Sequence, residues 1–251
     1  MGARPERAHR NPPSTRHHGD MASATPKTQP LHDLTERLAH VRWMTGGTAS
    51  GKSTLTRLLA DRHDVTVYSS DRAEHAWLER CTPHRHPHFT ALRALPPGGM
   101  WHGRSGEEVF RTMPSLHGET VGFLVEDLLA LPAERPVLVD YFGILPHHLA
   151  PLVRAHTQAV FLLPTPEFRR ATLTSRYADT TRRRATWGSE DLTTALTKRL
   201  IRDALWDEEV RTQSASASAP QSFLTLTIDG TLPAPALADR LAAHFGLGSA
   251  P

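Results

Sequence analysis

The stretch TGGTASGKST, Thr45 to Thr54, decides the fold. Between Gly46 and the triplet Gly51-Lys52-Ser53 lie four residues, Gly47, Thr48, Ala49 and Ser50, and that spacing is the G-x-x-x-x-G-K-[ST] pattern of a phosphate-binding P-loop. Each residue type has a physical reason. Glycines let successive backbone N–H groups turn inward with no Cβ in the way, and a helix starting just beyond them adds partial positive charge. Lys52 is placed to reach the outer phosphates of a nucleoside triphosphate, and the hydroxyl of Ser53, followed by Thr54, suits Mg²⁺. The flanks agree: Val41-Arg42-Trp43-Met44 reads as a short buried strand before the loop, and Leu55, Leu58 and Leu59 fall at helical spacing after it.

Working outward, four more short apolar runs read as strands: Val65 to Tyr68, Pro136 to Asp140, Ala159 to Leu163, and Phe223 to Ile228. Helical patterns separate them, including a long segment from Ser105 to Leu131 and the set Leu192, Leu196, Leu200 and Ile201. Strands alternating with helices predict an α/β fold, a parallel five-stranded sheet covered by helices in three layers. Three helix ends carry local signals. Ser105 with Glu108 has the form of a capping box, Thr165-Pro166-Glu167 supplies a cap and a first-turn proline, and Gly246 follows a last helix over Pro235 to Phe245.

Composition bounds the rest. The 251 residues suffice for one domain with a full core, and no run of about 18 apolar residues is present to span a membrane. Residues 1 to 30 are polar and rich in Arg, His and Pro, predicting a disordered extension without a secretory signal; Met21 offers a second possible start. The low-complexity SASASAPQS, Ser214 to Ser222, predicts a loose loop. The lone Cys81 fits a reducing cytoplasm. Only three of the 29 basic residues are lysines, Lys27, Lys52 and Lys198, and no Lys/Arg stripe interleaved with aromatics argues for nucleic acid.

What happens to the phosphate depends on acids at the carboxyl ends of neighbouring strands, where ligands of open α/β sheets bind. Asp71 follows the second strand and is placed to orient, or deprotonate, an attacking hydroxyl; the competing reading makes it the cap of a helix over Arg72 to Arg80. Asp140 ends the third strand and suits Mg²⁺, directly or through water; the competing reading is a strand-to-loop turn.

The combination of TGGTASGKST, SSD at Ser69 to Asp71, VLVDYFG at Val137 to Gly143, and FLLPTPEFRRATLTSRY at Phe161 to Tyr177 resembles the P-loop kinases of nucleosides, nucleoside monophosphates and small metabolites. It is similar in particular to a branch of ATP-binding proteins from high-GC bacteria. The resemblance covers about residues 40 to 247 of a kinase-like domain expected over residues 31–251, and implies ATP and Mg²⁺ at the P-loop. It also implies an acceptor site in the insertion of residues 72–131 and a mobile lid over residues 165–188. Asp71 matches the position where hydroxyl-phosphorylating members keep an acid. Arg176 matches a lid arginine, with Arg182, Arg183 and Arg184 close by and Arg199, Arg202 and Asp203 on the next helix; the competing reading for each is a solvated helix face.

One departure tilts the acceptor away from nucleoside monophosphates: Ser70-Asp71-Arg72 stands where those kinases show a Gly-Asp pair and a downstream arginine. The expected reaction is therefore transfer of the γ-phosphate of ATP to a hydroxyl of a small molecule, a nucleoside, sugar or secondary metabolite, with Lys52, Asp71 and Arg176 as catalytic residues. Trp101, Phe110 and His117 are candidate pocket residues, with core packing the competing reading for Trp101 and Phe110, whereas His84, His86 and His88 lack a fourth ligand at metal-site spacing and read as surface loop. No Asn-Lys-x-Asp stretch supports a GTP switch. An ATPase without a small acceptor, or an inert ATP binder, remains the alternative.

Overall fold

The computed structural model describes residues 31–189, 191–215 and 222–248; the extension expected over residues 1–30 lies outside these. Among the described residues, eleven α-helices and five strands follow in the order α1 (Leu31–Arg37), β1 (Val41–Gly46), α2 (Lys52–Ala60), β2 (Thr66–Ser69), α3 (Ser70–Arg80), α4 (Pro87–Arg93), α5 (Gly106–Arg111), α6 (Val121–Leu129) and β3 (Val137–Asp140). Then come α7 (Pro146–Leu149), β4 (Ala159–Pro164), α8 (Pro166–Arg176), α9 (Thr180–Trp187), α10 (Leu192–Ala215), β5 (Leu224–Ile228) and α11 (Ala234–Phe245). All five strands run parallel in the order β2-β3-β1-β4-β5, as the alternation of apolar runs and helical patterns predicts.

Side chains alternate across the pleat, so each strand feeds two cores. Trp43, Val137, Val139 and Phe161 join Trp77 of α3, Leu124 and Leu128 of α6, and Trp206 of α10 on one face. Met44, Leu138, Val160 and Leu162 meet Leu55 and Leu59 of α2 and Leu237, Leu241 and Phe245 of α11 on the other. Near-continuous apolar strands are what burial on both faces requires. A third cluster, Ala49, Trp101, Val109, Leu173, Tyr177, Trp187, Ala195 and Leu196, ties the P-loop to the 72–131 insertion, to α8 and α9, and to α10.

The three helix-end signals are all present. Ser105 and Glu108 form a reciprocal capping box, Thr165 accepts from the Phe168 amide with Pro166 in the first turn, and Gly246 closes α11 in the left-handed conformation. Three expectations need correction. The segment Ser105 to Leu131 is two helices, because α5 stops before Pro114, which has no N–H to continue the ladder. The helix after β2 begins at Ser70, not Arg72, so Asp71 lies inside its first turn and Ser69 holds the N-cap position. Finally, α10 continues through Ser214 to Ala215, so these two residues are helical where a loop was expected, and residues 216–221 of that stretch lie outside the described residues.

Candidate active site

β1 lies at the centre of the sheet, and the chain leaves it towards β2 and β3 on one side and β4 and β5 on the other. The loop after β1 therefore sits at the switch point where α/β sheets open a crevice. Gly46 has φ +112°, and a Cβ there would come within 2.4 Å of the Leu162 carbonyl oxygen on β4. Gly47 is equally confined: a Cβ would come within 2.5 Å of the Arg169 guanidinium and 2.6 Å of the Asp207 carboxylate. These glycines allow the loop to lie directly on β4 and on a buried ion pair.

That pair was not legible in the sequence. Arg169 of α8 meets Asp207 of α10, the side chains being 3% and 2% exposed, and Arg169 Nε donates to the Thr48 carbonyl at 3.2 Å. Burial pushes the Asp207 carboxyl up to about 6, against the opposing attraction of Arg169. Lys52 folds back over the loop and donates to the carbonyls of Gly46 (3.1 Å) and Gly47 (2.7 Å). Burial draws its ammonium down to about 8, while Asp140, Asp207, Asp71 and Asp203 pull the other way.

A cavity of about 450 Å³ opens over this loop. Thr48, Ala49, Ser50, Gly51, Lys52, Ser53 and Thr54 line it, together with Asp71, Asp140 and Arg176. The loop from Thr48 onward, both strand-end acids and the chosen arginine thus share one cavity; Gly46 and Gly47 lie behind it as the loop's support. Arg57, Arg199 and Arg202 also face in, so five cationic side chains surround the space against the three carboxylates Asp71, Glu74 and Asp140. This excess of positive charge suits a polyphosphate.

Asp140 pairs in register with Met44 of β1 and Ser69 of β2, which sets its carboxylate beside the start of α2. The Ser53 hydroxyl hydrogen-bonds that carboxylate, and burial raises the carboxyl's pKa against this bond and the nearby Lys52. Two hard oxygen ligands held together beside the phosphate loop fit Mg²⁺. Among the described residues no cluster of three His, Cys, Asp or Glu side chains forms a metal site, and His88 is instead bound to Glu119 at 2.6 Å.

The arginines are held by aromatic and acidic neighbours. Arg202 lies over Phe142 (5.1 Å) and Trp101 (5.5 Å), and its guanidinium stands 2.6 Å from Asp203, which is fully buried. Arg199 donates to the Tyr177 hydroxyl at 3.2 Å and also stands near Asp203. Burial lowers the Arg176 guanidinium and brings that of Arg202 down to about 10, which leaves Arg202 charged at neutral pH. Arg182 and Arg184 are exposed, and neither they nor Arg183 line the cavity.

The segment expected as a lid is packed down over the site. The Trp187 and Tyr177 rings lie 4.0 Å apart, and the Trp187–Gly188 backbone runs against Gly98 of the insertion, where a Cβ would come within 2.4 Å. Trp101 is 2% exposed, packed in the third cluster while bordering the cavity. Phe110 and His117 line neither this cavity nor its neighbour; Phe110 packs on the main core and His117 stacks on His88.

That neighbouring cavity, of about 530 Å³, is lined mainly by the 72–131 insertion. Glu74, Met100, Phe142 and Arg202 line both chambers, so the two share a wall. Glu74 was overlooked in the sequence, although its i+3 spacing from Asp71 places both on one face of α3. Its carboxyl is pushed up to about 7 by burial, with a smaller contribution from Asp71. No protein-family model matches the chain, and no curated protein matches it in sequence.

Proposed function

We propose that the chain is an ATP-dependent phosphotransferase of the P-loop kinase type, moving the γ-phosphate of ATP to a hydroxyl of a small molecule in the cytoplasm. One observation carries this reading: the P-loop, Asp71, Asp140, Arg176, Arg199 and Arg202 converge on one cavity that adjoins a second chamber of ligand size. An ATPase that only drives motion has no need of the second chamber. No described helix is long and apolar enough to cross a membrane, which accords with a cytoplasmic setting.

Each residue has a role that follows from its chemistry. The loop amides and the N-terminus of α2 cradle the phosphates, and Lys52 leaves the Gly46 and Gly47 carbonyls to bind them. Ser53 and Asp140 are the residues that would hold Mg²⁺, which when bound would supply charge neutralisation for the phosphates. Arg176, Arg199 and Arg202 face the space where charge spreads over the transferred group; a fixed guanidinium is suited to that task because it loses no solvation at the moment of transfer. A carboxylate of α3 aligns the attacking hydroxyl. The packed α8–α9 segment, when closed, keeps water from competing for the phosphate.

The test is ADP release from ATP·Mg²⁺ with and without pooled nucleosides, sugars and hydroxylated metabolites, with Lys52→Ala as the blank. Stimulation by one pool, absent in Lys52→Ala, is the expected result. ADP release that no pool alters would overturn the assignment.

A further inference from the structure

The phosphotransferase reading leaves the acceptor open, and the second chamber narrows it. Its walls are Phe89 and Leu92 of α4, Leu95 just beyond, Met100, and Val109 and Met113 at and after α5. The few ionic groups on it are committed elsewhere, with one exception. Arg104 donates to the carbonyls of Met100 (3.3 Å) and Glu108 (3.0 Å), His88 is bound to Glu119, and Arg202 is paired with Asp203. Glu74 alone among them has no hydrogen-bond or ion-pair partner among the described residues, and it stands on the wall shared with the nucleotide cavity.

We propose that this chamber is the acceptor site, that it takes an uncharged, largely apolar alcohol of about two to four rings, and that Glu74 rather than Asp71 meets the acceptor hydroxyl. The proposal rests on the phosphotransferase reading. A nucleoside monophosphate would need free cations at the far end of the chamber, and a sugar would need a hydrogen-bond partner for each hydroxyl. The walls offer no uncommitted cation, and of their three hydroxyls Thr112 is bound to the Glu108 carbonyl and Thr120 to the Tyr141 hydroxyl, which leaves Ser115 and Glu74, too few partners for a sugar. Asp71 lines only the nucleotide side, whereas Glu74, one turn further along α3, borders both.

The transfer balances with these groups alone. The acceptor oxygen forms a bond to the γ-phosphorus of ATP, the bond from that phosphorus to the β–γ bridging oxygen breaks, and ADP leaves with the bond's electron pair. The hydroxyl proton passes to the Glu74 carboxylate. A carboxyl lifted to about 7 is a better proton acceptor than an ordinary one and is still half ionised near neutrality.

Binding and turnover are tested separately. Binding of 2-naphthol, 4-phenylphenol and estradiol is measured by calorimetry without nucleotide, beside ribose, uridine and UMP, in the wild type, Leu95→Glu and Ala91→Trp. Leu95 and Ala91 line the chamber yet are exposed, so both variants are expected to fold, which a thermal melt checks. The expected result is micromolar binding of at least one apolar probe, weakened tenfold or more in both variants, with no binding of the polar set. Turnover with the bound probe should fall about 100-fold or more in Glu74→Gln. The lower limb of its pH profile, rising through about 7, should vanish in Glu74→Gln and persist in Asp71→Asn. Apolar probes that fail to bind while a polar acceptor is phosphorylated would overturn the proposal and leave the phosphotransferase intact. Binding of an apolar probe with no transfer to any acceptor would support the chamber assignment and count against the phosphotransferase. Loss of the pH limb in Asp71→Asn instead would overturn the role of Glu74.

Discussion

The Arg169–Asp207 pair supports the P-loop from below, and removing one partner should cost far more than removing both. Asp207→Ala leaves a guanidinium that is 3% exposed without its counter-ion, next to Gly47 and the Thr48 carbonyl. Stranding a buried charge in this way costs about 3–5 kcal/mol. The double change Arg169→Met with Asp207→Leu removes both charges and keeps the volume, so its stability should lie between that of the wild type and a gain of about 1–4 kcal/mol. Nucleotide binding should follow a different order. The double variant has lost the charged hydrogen bond to Thr48, for which about 1.5 kcal/mol is a fair magnitude, so ATP·Mg²⁺ should bind roughly tenfold more weakly in a protein of undiminished stability. Urea unfolding at constant m-value gives the first quantity and calorimetric titration the second. An Asp207→Ala protein within about 1 kcal/mol of wild type, or a double variant that binds nucleotide normally, would refute the reasoning.

Four further outcomes follow from other contacts in the structure. Lys52 titrates near 8 in the free protein but binds phosphate only when charged, so ATP affinity should decline as pH rises through 8; a flat affinity from pH 7 to 10 contradicts the role. Its folded pKa is lower than its unfolded one, so between about 8 and 10.5 the unfolded chain holds the proton more tightly and this group makes stability increase with pH. Glu119 accepts from the amides of His88 (3.1 Å) and Phe89 (2.8 Å) at the start of α4, so Glu119→Ala should destabilise the protein by about 1–3 kcal/mol in urea and weaken any ligand of the apolar chamber. Asp127 receives the Tyr68 hydroxyl (2.6 Å) and the Trp77 indole (2.7 Å), and Asp127→Ala, which leaves both donors unpaired, should cost about 2–4 kcal/mol by the same measurement.

The fold was legible because its signals are local. Five apolar runs, a P-loop between strand and helix, a capping box and a C-terminal glycine each act over a few residues, and each falls where the structure has it. The site was partly legible for the same reason: Lys52, Asp71 and Asp140 are fixed by loop spacing and by strand ends. What escaped depends on distance along the chain. Arg169 and Asp207 are 38 residues apart on two helices, and Glu119 caps a helix some 30 residues earlier; no window in the sequence contains both partners. Glu74 is the exception, since helical periodicity alone put it beside Asp71. Trp101 combines the two roles weighed for it, packed as core on one side and facing the cavity on the other.

The most direct measurement follows the γ-phosphate itself. ATP labelled with ¹⁸O in the γ-phosphate, Mg²⁺ and pooled hydroxylated compounds are incubated with the protein, and the products are read by mass spectrometry. The account predicts label on an organic acceptor in step with ADP, and none with Lys52→Ala. Label recovered only as inorganic phosphate, or no ADP at all from a protein that binds ATP, would contradict it.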